Sequence, residues 1–286
     1  MAARTRARGV IGVLCACALA LGGCAEDATE SPLEKARTAN QSRHVAASFD
    51  DRPVVLDDTN GLVSSEYFFE TSETLVVTDH TPEAQLRAAS IAAYAHAPLL
   101  VYDAQHHAQM IQEIQRLKAH TVLTVGDVPL APLSGAVRIN RDPGGLEALG
   151  AMTSVRFRER AVQDPARAQR AVAELDTSRP TWLNASWAQP VVKPNAKARP
   201  FPVHSRRDAG MAPQVVATGE SSIAAIANAR SFGAAVVYVD DPDPRASEST
   251  LLAMAGLEDA PLVLLGTQFG RAIDIPGRIM QAEENY

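Results

Sequence analysis

Seven histidines, His44, His80, His96, His106, His107, His120 and His204, are scattered along the chain. His80 and the pair His106-His107 each follow an apolar run that reads as a strand, with Asp79 and Asp103 beside them. Imidazole and carboxylate on neighbouring loops is a metal-ligand set, but a solvated loop rim accounts for the same residues, and no metal is expected. Thr218-Gly219-Glu220-Ser221-Ser222 lies between an apolar run and a helix start, where N–H groups and hydroxyls could hold an anion. No Gly-Lys-Ser/Thr follows, which excludes a phosphate loop, and Ile223 excludes Gly-x-Ser-x-Gly. Helix capping also explains the serines. Asp240-Asp241-Pro242-Asp243 supplies three carboxylates, but the spacing fits no EF-hand loop and reads as a solvated acidic turn. Lys193, Lys197, Arg199, Arg206 and Arg207 form a basic group in a proline-rich stretch. The candidate anion-binding residues are therefore Arg199, Arg206, Arg207, Ser221 and Ser222. No nucleophile–base pairing stands out, so neither catalytic residues nor a cofactor are expected, and the chain does not read as an enzyme.

These groups must be held by the surrounding elements. Leu75–Thr78 reads as a buried strand, followed by a helix starting at Thr81-Pro82-Glu83, with a cap, proline at the first helical position and an early acid. Leu99–Tyr102 is a second strand. Met110, Ile111, Ile114 and Leu117 mark one apolar helix face, and Val122–Val125 closes a βαβαβ order. The same order returns with Val215–Thr218, a helix through Ile226 and Phe232, Ala235–Val239, a helix through Leu251 and Met254, and Leu262–Gly266. Ala97–Asp103 and Ala234–Asp240 align as copies. Neither copy shows a conspicuous polar cluster inside its helices. Between them, Val137–Ile139 reads as a short strand, Leu146–Met152 and Val155–Leu175 as helices, and 177–212 as an irregular connection anchored by Trp182 and Trp187. The expected fold class is α/β: two similar βαβαβ units with parallel sheets, at 51–150 and 213–286, joined by a helix and proline-rich connection at 151–212. Open sheets of this kind bind ligands at the C-terminal ends of their strands.

The first fifty residues are of another kind. Arg4, Arg6 and Arg8 precede an uncharged run from Val10 to Leu21, too short to span a bilayer of ~30 Å but suited to a secretory signal. The run ends in Leu21-Gly22-Gly23-Cys24, which resembles the lipobox of bacterial lipoproteins; an ordinary signal peptide with a chance cysteine is the other reading. The resemblance implies cleavage after residue 23, a diacylglyceryl group on Cys24 and anchorage on the outer face of the cell membrane. The expected mature chain has 263 residues, with 24 Lys+Arg against 33 Asp+Glu, and Cys24 is its only cysteine. It therefore carries no internal disulfide. Residues 24–50 read as a flexible tether. The acidic balance argues against nucleic acid as a partner.

The repeated units resemble the bacterial cell wall-binding repeat type 2 family. The residues that carry the likeness are Pro82-Glu83-Ala84, Ala97-Pro98-Leu99-Leu100, Val125-Gly126-Asp127, Val137-Arg138-Ile139 and Glu147-Ala148, and in the second copy Gly219, Ala234–Val237 and Leu265-Gly266. Glu83 stands where that family has Asp, Asp127 where it has a second Gly, and the family's usual three tandem repeats are here two with an unlike middle. The resemblance implies α/β modules that bind polysaccharide or anionic envelope polymer without catalysis. A solute-binding lipoprotein of an uptake system, with two α/β lobes about a cleft, is the alternative, and an envelope hydrolase is the third.

Overall fold

Apolar runs with small-residue helices between them build parallel sheets here. The computed structural model describes residues 30–131, 137–189, 197–204 and 211–286. In chain order the elements are α1 (Pro32–Gln41), β1 (Pro53–Leu56), α2 (Leu62–Phe68), β2 (Thr74–Thr78), α3 (Pro82–Ala95), β3 (Leu99–Val101), α4 (His107–Arg116), β4 (Thr121–Val125), β5 (Arg138–Arg141) and α5 (Gly145–Thr153). They continue with β6 (Arg158–Val162), α6 (Ala168–Ala173), β7 (Thr181–Ala185), β8 (Gln214–Ala217), α7 (Ile223–Phe232), β9 (Val236–Tyr238), α8 (Glu248–Met254), β10 (Leu262–Leu265) and α9 (Ile275–Glu284). All strand pairs are parallel, in three sheets ordered β3-β2-β4-β5, β1-β10-β8-β9 and β6-β7. Residues 31–286 form one compact unit.

The expected duplication is visible in the register. Val76 pairs with Leu99 on one side and Leu123 on the other, and Leu123 pairs with Asn140. Val215 pairs with Val236 and Val263, and Val263 pairs with Val54. The two four-stranded sheets therefore have the same slots in the same order. The fourth slot of the C-terminal sheet is filled by β1, from the N-terminal side of the chain. The unit expected at 51–150 thus gives its first strand to the other sheet.

The stretch expected as one long helix and an irregular connection holds a third unit, β6-α6-β7. Twenty residues separate Thr78 from Leu99, eighteen separate Val162 from Thr181, and eighteen separate Ala217 from Val236. β6 was unreadable as a strand because Arg158, Glu159, Arg160 and Ala161 are all exposed. Among the described residues this unit has no counterpart of β4 or β10, which leaves β6 paired on one side only, and charge on an edge strand discourages further pairing.

The three crossover helices α3, α6 and α7 pack on one another, and each also covers the edge strand of another unit: α3 lies against β7, α6 against β9 and α7 against β3. Close approach requires small residues, which explains why α3 and α7 are rich in buried alanine. Their few polar residues close the exposed strand edges. Asn228 in α7, fully buried, accepts from the Leu99 N–H at 2.6 Å and donates to the Leu99 carbonyl at 3.1 Å. Ser90 in α3 accepts from the Leu183 N–H of β7 at 2.9 Å. Edge groups that would otherwise be orphaned are thus satisfied from inside the hub.

The flexible tether expected at 24–50 does not extend over 31–41. Residues 24–29 lie outside the described residues, but α1 is an ordered helix with a capping box between Ser31 and Glu34. Asn40 donates to the carbonyls of Leu252 and Ala255 at 3.1 and 3.0 Å, and Gln41 to that of Gly256, docking α1 on α8. The mostly polar composition of 31–50 hid this because the helix attaches by hydrogen bonds and buries Asn40 rather than a large apolar stripe.

Candidate functional site

The strand C-terminal ends are where the backbone opens to ligand, and in the first sheet they are shaped by one carboxylate. Asp79 follows β2 and accepts from the Thr81 N–H at 2.8 Å, the Thr81 hydroxyl at 2.6 Å and the Asp127 N–H at 2.6 Å. It therefore staples the loop after β2 to the loop after β4. Gly126 makes this approach possible: its φ is +80°, and a Cβ there would lie 2.1 Å from an Asp79 carboxylate oxygen.

Beneath the staple sits a buried ion pair. Arg87, on α3, donates through Nε and Nη2 to the two oxygens of Asp142, and Nη2 also donates to the Gly145 carbonyl at 3.0 Å. The Trp182 ring of β7 lies 5.3 Å from the guanidinium carbon, a cation–π contact joining two units. Arg87 Nη1 is buried without a hydrogen-bond partner. Desolvating such a pair is tolerable only with near-complete bonding, so Arg87 and Asp142 fix the geometry of this seam.

Above them opens a cavity of about 300 Å³, walled by Thr81, Glu83, Asp127, Trp182, Asn184 and Gln189 among others. The Trp187 indole N–H donates to Glu83 at 3.4 Å, and Asn184 donates to Glu159 at 2.7 Å. Four carboxylates, those of Asp79, Glu83, Asp127 and Asp142, face this space against the single guanidinium of Arg87. Such a surface repels phosphate and suits hydroxyl, amide and amino groups.

The second seam repeats the motif at the surface. Arg170 lies 4.2 Å from the centre of the Tyr238 ring and donates to Asp240 at 2.7 Å. The expected acidic turn is spent on such pairs: Arg245 donates to Asp243 at 2.7 Å, and Asp241 accepts from the Asp243 N–H. The Arg245 side chain holds the Asp243 carboxyl below the usual range.

The residues singled out for anion binding are not assembled. Ser221 is buried, donates to the Leu265 carbonyl and accepts from the Thr218 N–H, which ties β8 to β10. Ser222 caps α7 by accepting from Ala225. Arg199 is exposed on the 197–204 segment, where Phe201 donates to the Met152 carbonyl and His204 to that of Ala95, at the C-terminal ends of α5 and α3. Arg206, Arg207 and Lys193 lie outside the described residues. The reason is local: a serine beginning a helix in a parallel sheet is claimed first by backbone donors.

Of the histidines, His80 and His106 both act on Asp103, and His96 and His204 line one cavity. His106 Nδ1 bonds to Asp103, whose carboxyl is held below the usual range by the Gln105 N–H first, then by His106 and His80. Among the described residues no group of three His, Cys, Asp or Glu could hold a metal. The residues that sequence reasoning missed, Arg87, Ser90 and Asn228, contradict the expectation that the helices lack polar clusters. Their signal was a lone polar side chain amid buried alanines.

Compared with known proteins, the chain matches no family model, no curated protein and no solved structure.

Proposed function

We propose that this chain is a membrane-anchored extracytoplasmic lipoprotein that binds a cell-envelope polymer without altering it, through the cavity between β2, β4 and β7. The membrane attachment is the lipid on Cys24. The observation carrying the reading is the 300 Å³ cavity at the strand ends, where carboxylates, carboxamides, a hydroxyl and an indole converge. That chemistry favours a neutral or amino-sugar polysaccharide over a phosphate-rich polymer. The third unit, β6-α6-β7, brings the architecture closer to the three-repeat family that the sequence resembles. A solute binder closing about a hinge fits less well, because α3, α6 and α7 interlock and β1 crosses into the C-terminal sheet.

Purified protein lacking residues 1–24 is incubated with cell-wall sacculi, intact or stripped of their phosphate-bearing polymers, and sedimented. Retention by both preparations, reduced by Asn184→Ala and Asp127→Ala, is expected. No retention by either, or retention only by the unstripped walls, refutes the polymer assignment.

A further inference from the structure

The C-terminal helix leaves an apolar stripe uncovered. Six large apolar side chains are exposed among the described residues, and three of them, Ile273, Met280 and Tyr286, belong to the last fourteen residues. Ile273, in the single turn Ala272–Asp274 that leads into α9, is 81% exposed, the highest of the six. α9 turns Ile275, Ile279 and Ala282 into the protein. Ile273, Gly277 and Met280, spaced by four and three, share another side and are all exposed. A Cβ on Gly277 would meet nothing within 4 Å. Among the described residues, nothing covers this stripe.

The helix is tied to the element that follows Cys24. Glu283 of α9 lies 3.5 Å from Arg37 of α1 and accepts from the Gly256 N–H at 2.8 Å, while Gln41 of α1 donates to the Gly256 carbonyl at 3.1 Å. Ser31, the cap of α1, is the seventh residue after Cys24, a reach of at most about 25 Å. A lipid on Cys24 thus keeps α1, and with it the end of α9, close to the bilayer. The charges around the stripe are largely spent in pairs, Arg271 with Asp274 at 2.9 Å and Arg37 with Glu283, and Glu284 is exposed beside it. They leave no cationic surplus to draw anionic headgroups. A second copy is a poor cover, because stable protein pairs bury about 800 Å² on each side, far more than two side chains and a glycine offer.

We propose that the stripe of Ile273, Gly277 and Met280 rests on the lipid surface beside the anchor, with the two side chains inserted at the boundary between headgroups and acyl chains, and so fixes which face of the protein meets the membrane. The proposal rests on the lipid-anchor reading for Cys24 and not on the polymer cavity. Two side chains are too few to recruit a free protein to a bilayer. A tether turns the same insertion into an intramolecular contact at high effective concentration. The contact is apolar, so neither headgroup charge nor salt governs it.

Residues 31–286 form one compact unit, so the protein lacking residues 1–23 serves for the test, with Cys24 as its only thiol. The thiol is coupled to maleimide-headgroup lipid in phosphatidylcholine vesicles, with and without brominated acyl chains, which quench only nearby indoles. Ile273→Trp supplies the reporter over the background of Trp182 and Trp187, and Leu146→Trp, exposed beside Gly145 at the polymer cavity, is the control. The fraction of emission quenched in Ile273→Trp should be at least about 2-fold that of the unsubstituted protein, and Met280→Asp added to it should remove the excess. Leu146→Trp should show none. Melting temperatures should stay unchanged, since all three side chains are exposed. No excess at residue 273, an equal excess at residue 146, or an excess that survives Met280→Asp overturns the proposal. A dimer of the untethered protein that Ile273→Asp dissolves overturns it too, by making the stripe a contact between copies. The coupling is chemical, so these outcomes leave the anchor reading standing. That reading is checked separately by fatty-acid label on Cys24 in cells, whose absence overturns both.

Discussion

Replacing Asn228 with leucine tests whether the hub closes the strand edges. The side chain is fully buried and makes four hydrogen bonds. It accepts from the Leu99 N–H, and it donates to the carbonyls of Leu99 and Gly61 at 3.1 Å and to the Ser64 hydroxyl at 2.8 Å. Leucine has nearly the same volume, so the cavity term is small and the loss is polar. Gly61 keeps another donor in the Ser65 N–H, and Ser64 keeps a long bond to Gly61. Leu99 has no such substitute: its N–H and C=O face the edge of β3 and lose their only partner. Two orphaned backbone groups at about 1–3 kcal/mol each give a loss of about 2–6 kcal/mol. That is a large part of a total stability of about 5–15 kcal/mol. Urea unfolding gives the difference, and hydrogen exchange at the Leu99 amide gives its location. A loss below about 1 kcal/mol, or unchanged protection of that amide, would refute the edge-capping argument.

Gly126→Ala should cost about 2–4 kcal/mol by urea unfolding, since it combines a positive φ with a collision against the Asp79 carboxylate; it should also weaken wall retention, because the staple forms the cavity rim. Arg87→Met and Asp142→Leu should each destabilise by about 3–5 kcal/mol, whereas the double variant should recover much of that loss in the same assay. Stability should fall on both sides of neutrality. The carboxyls of Asp103, Asp176, Asp243 and Asp274 are depressed in the fold, so their contribution is present above the ordinary aspartate range and disappears as pH drops through their lowered values. The Tyr67 phenol is raised, by burial first and Asp50 second, so the folded state holds its proton longer and loses stability as pH rises past the ordinary tyrosine value. Melting temperatures measured across pH check both limbs; an alkaline limb that persists unchanged in Tyr67→Phe would remove Tyr67 as its cause.

What the sequence disclosed follows burial. Thr74–Thr78, Leu262–Leu265 and Gln214–Ala217 are buried at every position, and a strand covered on both faces is a continuous apolar run. The helices between them announced themselves by caps and alanine. β6 gave no such run, because an edge strand with three charged residues has neither alternation nor apolar continuity. Trp182 and Leu183 are buried in β7, but flanking prolines and polar residues disguised that strand as loop. β1 was hidden for a different reason: no local pattern says that Val54 pairs with Val263 rather than with a neighbour in its own half. At the candidate site, Asp79 and Trp182 were noticed, but Arg87 and Asp142 are joined only by the fold.

The position of β1 bears on the order in which the molecule can assemble. Its partner Leu262 emerges from the ribosome roughly two hundred residues after Pro53, and closing a loop of that size is slow. Until the C-terminus is made, the C-terminal sheet lacks an outer strand and α1 has nothing to dock against. For the exported lipoprotein proposed above, that delay would keep the C-terminal sheet open to threading through a translocation channel until the tail has arrived.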